Sequence, residues 1–139
     1  MAMTMHVNIV SAENEIYSGT VIQVFAPAEM GEVGIMPRHA PMLSTLKPGV
    51  VRVISQENEE QTFFVSGGIL EIQPHVVTIL SDTALRASDI DESAALEAKS
   101  RAEAAMKDKA SDMDYAKAKT ELIEAFAQIE ALKKIRKKT

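Results

Sequence analysis

All six glycines and all five prolines of this chain lie before residue 75, and none follows Pro74. Glycine reaches backbone conformations that other residues avoid and proline withholds a donor, so both interrupt regular structure. A chain of 139 residues punctuated in this way builds many short elements first and a few long, unbroken ones afterwards. Alanine shifts in the opposite direction, with five residues up to position 83 and fourteen from Ala84 onward, and that composition favours helix in the second part. The expected division is 1–86 and 87–139.

The first part reads as about eight or more short strands. Val7 and Ile9 alternate with polar neighbours, Ile22, Val24 and Ala26 share one face, Val51 and Val53 share another, and Leu70 and Ile72 oppose Glu71 and Gln73. Turn signals separate these runs. Pro48-Gly49 suits a type II turn, Gly67-Gly68 marks a bulge or sharp corner, and Pro74-His75 closes a hairpin onto Val76–Leu80. Many short strands with no helical period among them predict a β-sandwich or flattened barrel.

The second part predicts two antiparallel helices joined by Asp108 to Met113. Asp89 as N-cap with Glu92 three residues on would open the first, which runs to about Lys107. Its apolar stripe is Ala94, Ala98, Ala102 and Ala105, with Ala95, Leu96 and Met106 beside it. The second helix starts near Asp112 or Asp114 and carries Tyr115, Ala118, Leu122, Ala125, Ile129 and Leu132 in a three-four alternation. The fold class is therefore α+β, an antiparallel β-sandwich followed by a helical hairpin. Such a stripe of alanines buries one methyl each, about 0.8 kcal/mol per carbon, so the hairpin is expected to be held loosely enough for partner contacts to redirect it.

Charge and missing motifs exclude several function classes. The chain carries 15 basic and 20 acidic residues, a net charge of -5, which disfavours a nucleic-acid partner. Residues 1–87, 88–132 and 133–139 carry -5, -5 and +5, so a basic tip ends an acidic protein. Without cysteine there is no disulfide, thiolate nucleophile or cysteine metal site. No apolar run approaches the roughly 18 residues of a membrane span, and Met1 to Ser11 lacks the flanks of an export signal. Phosphate-loop, dinucleotide, nucleophile-elbow and zinc-helix motifs are absent, and His6, His39 and His75 lie far apart in sequence. A non-catalytic chain without cofactor or metal is expected.

The most informative segment is Gly31-Glu32-Val33-Gly34-Ile35-Met36-Pro37-Arg38-His39-Ala40-Pro41. Its glycines permit a tight loop and its prolines stiffen the exit, so it is either a pre-ordered binding surface or a structural corner. Together with Lys47-Pro48-Gly49, Phe64 to Glu71 (FVSGGILE) and Val77 to Ala84 (VTILSDTA), in this order, it closely resembles the epsilon subunit family of bacterial-type rotary ATP synthases. The resemblance covers essentially the whole chain. It implies a sandwich at the foot of the central rotor, against the gamma subunit and the proton-driven membrane ring, on the cytoplasmic face of a bacterial inner membrane. It also implies a hairpin that either folds down on the sandwich or extends toward the catalytic alpha and beta subunits and blocks ATP hydrolysis.

Carried over by position, the resemblance implies that Glu32 faces the membrane ring and that His39 lies near gamma. It likewise implies that Lys133, Lys134, Arg136, Lys137 and Lys138 meet acidic segments of the catalytic beta subunit when the hairpin is extended. Cations complementing a helix C-terminus would account for one or two of these five. Some family members bind ATP through Ile-Asp-x-x-Arg-Ala and a further arginine. The matching residues here are Ile90, Asp91, Ala95 and Arg101, but Ala94 stands at the motif arginine. Loss of that guanidinium removes a charged phosphate contact of about 1.5 to 3 kcal/mol, so nucleotide binding is expected to be weak or absent. For Asp91 and Glu92 the better reading is acids favouring a helix N-terminus. The competing function class is a free-standing β-sandwich recognition module with a helical clamp, which co-purification with ATPase subunits would exclude.

Overall fold

The computed structural model describes residues 3–108 and 112–136. Among these, nine strands precede two helices: β1 Met5–Val10, β2 Glu15–Ala28, β3 Gly31–Ile35, β4 Met42–Leu46, β5 Gly49–Ser55, β6 Glu60–Val65, β7 Gly68–Ile72, β8 Val76–Leu80, β9 Ala84–Arg86, α1 Glu92–Asp108 and α2 Asp112–Arg136. A single 3-10 turn, Ala87–Asp89, joins β9 to α1.

Strand β2 is fourteen residues long and belongs to both layers of the sandwich. Its first half pairs with β1 from Glu15 to Val21, and its second half lies between β5 and β3. One layer is thus β2, β1, β8, β7 and β4; the other is β3, β2, β5, β6 and β9. The layers also touch where Ala28 meets Leu46. All pairings are antiparallel except β1 with β8, because the β1–β2 and β7–β8 hairpins meet along strands that run the same way.

Inward-facing positions alternate as the pleat requires. Val7, Ile9, Val24, Val51, Val53, Phe63, Leu70, Ile72, Val77 and Ile79 fill one core between the layers. Ile22 does not share the buried face of Val24 and Ala26, because the register shifts between Val21 and Gln23 and leaves Ile22 at a bulge. Val21 takes the inward place.

Gly67 and Gly68 form the expected sharp corner, carrying the chain from β6 in one layer to β7 in the other with φ of +112° and +130°. A Cβ at Gly68 would collide with the Leu80 carbonyl oxygen. Pro48-Gly49 differs from the type II turn predicted. Gly49 opens strand β5 and has no positive φ; it is small because a Cβ would stand 2.8 Å from Cβ of Pro27. Space, not torsion, selects glycine there.

Asp91, rather than Asp89, caps α1: the Ala94 amide donates to its Oδ1 at 3.2 Å, and the Ala95 amide to its carbonyl oxygen at 3.0 Å. Asp89 belongs to the preceding 3-10 turn. The buried stripe is also rotated from the expected one. Ala95 and Ala102 are buried and Ala98 half-buried, whereas Ala94 and Ala105 are exposed.

Helix α2 has two working faces. Ala118, Leu122 and Ala125 continue the predicted seam, with Tyr115 exposed at its start. Ala127 and Ala131 are buried elsewhere, in a second core with Val50, Phe64, Ala87 and Ile90, flanked by Leu85, Leu132 and Ile135. The hairpin is therefore docked: α2 covers the outer face of β5 and β6. The predicted joining segment falls partly on residues 109–111, outside the described residues.

Candidate functional site

The two outer faces of the sandwich have different fates. That of β5 and β6 is closed by α2, whereas that of β4, β7 and β8 is open. There Ile69 stands opposite Leu80 and Leu43 opposite Glu71 across the pairings. Leu43 is 71% exposed, and Ile69, Val76 and Leu80 are exposed too. Strand alternation puts these side chains outward, so they are not failed core residues but an apolar surface on a rigid sheet.

His39 lies in the loop between β3 and β4 that leads onto this face. Its amide donates to the Met36 carbonyl oxygen at 3.1 Å, and its Nδ1 makes a 2.7 Å hydrogen bond with the Ala40 carbonyl oxygen, with Nδ1–H as donor. That tautomer leaves Nε2 as an acceptor. The preceding Arg38 amide donates to the Pro74 carbonyl oxygen at 2.9 Å, tying the loop to the β7–β8 hairpin.

Glu32 sits on β3, an edge strand that among the described residues pairs only with β2. Its carboxylate is half exposed and meets Nη2 of Arg52 at 3.4 Å, while Nη1 of Arg52 meets Glu60 at 3.2 Å. The Arg52 guanidinium lies 4.1 Å above the Phe25 ring. Phe25 and Arg52 are opposite each other in the β2–β5 pairing, which is what stacks them. Arg52 thereby orients Glu32 without covering it. Next to it the β2–β3 hairpin tip presents Met30, 99% exposed. Glu32 also borders a groove against docked α2, with Lys47, Ile123, Phe126 and Lys134.

The candidate nucleotide residues are not gathered into one site. Ile90 is buried in the second core, Asp91 is spent on the helix cap, and Ala95 is buried along α1. Arg101 is ten residues beyond Asp91, about 15 Å along the helix. It borders an interhelical groove with Ala98, Glu121, Glu124, Ala125 and Gln128. Burial, reinforced by Glu121, raises the Glu124 pKa above the usual carboxylate range. A groove with two carboxylates beside one guanidinium offers little to a polyphosphate.

Of the basic tip, Lys133 is exposed, and Lys134 lies 3.9 Å from Glu130 one turn back. Arg136 ends α2. Its side chain, with Lys137 and Lys138, lies outside the described residues. Among the described residues no group of three or more His, Asp or Glu is placed to hold a metal ion, and no helix is long and apolar enough to cross a membrane.

The seat of α2 was missed by sequence reasoning. Its signal was present in Val50-Val51 and Phe63-Phe64-Val65, runs without alternation that mark strands buried on both faces. Ala127, Ala131 and Ile135, four apart, are the matching helix row.

The β-sandwich domain of the ATP synthase delta/epsilon chain matches residues 4–87, and the long alpha-helix domain of the same chain matches residues 88–133. An ATP synthase epsilon chain of Nitrosococcus oceani is 65% identical over 138 residues, 99% of each chain. Another, of Thioalkalivibrio sulfidiphilus, is 59% identical over 140 residues, covering 100% of this chain and 99% of the relative. The fold is also that of a chain in the Euglena gracilis mitochondrial ATP synthase, with a TM-score of 0.84 at 19% identity, covering 93% of this chain and 81% of the other. Two domain matches in the right order, full-length relatives and the sandwich-plus-hairpin fold agree, and the chain belongs to the ATP synthase delta/epsilon chain family.

Proposed function

We propose that this chain is a non-catalytic central-stalk subunit of a proton-translocating ATP synthase, joining the rotor shaft to the membrane ring and restraining ATP hydrolysis through its helices. The observation that carries the reading is the asymmetry of the sandwich. One outer face is closed by the chain's own helix, and the other is left open and apolar. The gamma shaft docks on the open face beside His39, and Glu32 with the β2–β3 tip faces the ring. The chain associates peripherally with the cytoplasmic side of the inner membrane through these partners.

The docked hairpin is the permissive state in this reading. Two alanines form the centre of its seat, so partner contacts worth about 5.5 kcal/mol suffice to invert a two-state population. Released, α2 carries Lys133, Lys134, Arg136, Lys137 and Lys138 toward acidic segments of the catalytic beta subunit. Nucleotide does not control the release here: Ala94 replaces the motif arginine, and Arg101 is flanked by Glu121 and Glu124.

Reconstitution tests this. The purified chain added to the synthase stripped of its corresponding subunit restores coupled synthesis, and a chain ending at residue 87 restores coupling but leaves hydrolysis faster. A chain that neither joins the complex nor changes its turnover refutes the reading.

A further inference from the structure

Arg38 has a backbone φ of +67°, in the left-handed region that disfavours ordinary side chains. Pro37 precedes it and the His39 amide closes the turn onto Met36. Proline cannot take a positive φ at the second position, so the turn is type II, whose third position ordinarily holds Gly or Asn. Asn58 also has a positive φ, but asparagine tolerates it through its short polar side chain. Arginine has no such relief.

Packing does not explain the choice either. The Arg38 side chain is exposed and makes no hydrogen bond, ion pair or ring contact among the described residues. Its backbone, in contrast, is fixed by the bond to Pro74 and by prolines at 37 and 41. A guanidinium is thus held out at a defined place, next to His39 and the 59% exposed Met36. Backbone strain that the fold itself does not need persists where a function uses it.

We propose that Arg38 is an ion-pairing anchor for a carboxylate on the shaft partner, an inference that rests on the rotor reading and on the place it gives to His39. Free positive charge, a stiff mount and continuity with the open apolar face define that partner as an acidic side chain set beside an apolar strip. Glycine would suit the turn better; the charge is what arginine supplies.

Rejoining of the full chain to the stripped synthase, measured for Arg38→Gly, Arg38→Ala and Arg38→Lys, separates the two effects. Arg38→Gly relieves the turn and raises the thermal midpoint of the free chain by about 2 to 5 °C. It nevertheless weakens association by about threefold to tenfold at low ionic strength. Arg38→Ala loses the same affinity without the thermal gain, Arg38→Lys loses less, and the differences fade as salt rises. A glycine or alanine variant that rejoins as tightly as the unsubstituted chain overturns the proposal. Failure of the unsubstituted chain to rejoin refutes the rotor reading instead, and this proposal falls with it.

Discussion

Replacing Ala131 by glutamate tests whether the helical hairpin is held by the small seat described above. Ala131 is fully buried against the outer face of β5 and β6. Undocking α2 returns two alanine methyls to water, at about 0.8 kcal/mol each, and uncovers Val50 and Phe64, each worth about 1.5 to 3 kcal/mol. The upper bound is about 5 to 8 kcal/mol before the cost of ordering the hairpin. A carboxylate at position 131 would enter that seat without a partner, at a cost of several kcal/mol. A loss of about 4 kcal/mol lowers the docked-to-undocked ratio roughly a thousandfold. The sandwich keeps its own core, so its thermal transition survives. Hydrogen exchange of the α2 amides reports the change directly, with protection lost in the variant while β1, β7 and β8 stay protected. In the assembled synthase the same variant hydrolyses ATP more slowly, because its hairpin is free to extend. Unchanged α2 protection would refute the argument.

Glu124 gives the hairpin a pH dependence of definite sign. Its folded-state pKa is raised, by burial first and by Glu121 second, so its charged form weakens the fold. Stability is therefore lower above the raised value and recovers as pH falls through it, with no further gain below the ordinary carboxylate value. Glu124→Gln flattens this dependence and raises the thermal midpoint near neutral pH, which melting curves across a pH series measure. Gly68→Ala places a Cβ against the Leu80 carbonyl at a positive φ and costs about 3 kcal/mol or more, read as a large fall in denaturant midpoint. Neutralising Lys133, Lys134, Lys137 and Lys138 to glutamine spares Ile135, which packs in the second core. The assembled complex then hydrolyses ATP faster at low salt, and unchanged hydrolysis counts against the basic tip as the inhibitory contact.

The order of strands before helices was legible in the glycine and proline positions, because those residues act locally through torsion and missing donors. Gly67-Gly68 was legible for the same reason. Gly49 was not, because its need for glycine comes from Pro27 on a neighbouring strand, a contact that local sequence does not contain. The cap of α1 slipped by two residues because Asp89 and Asp91 are chemically equal candidates, and the 3-10 turn after β9 decides between them. The second face of α2 was hidden because alanine serves both seams. A row of larger residues at 127 and 131 would have announced the contact with Phe64. Glu32 and His39 enter as site candidates through resemblance alone. Arg38 stood in plain sight, but only its backbone torsion sets it apart.

Strand β2 gives the sandwich a mechanical property that a pair of separate sheets would lack. Its fourteen residues run without interruption from the layer that holds β1 to the layer that holds β3. A twisting load applied at the β2–β3 tip is carried into the opposite sheet through covalent backbone and lateral ladder bonds acting in shear. Side-chain packing alone would yield by sliding. In the rotor role proposed above, one continuous beam makes the part that passes torque stiffer.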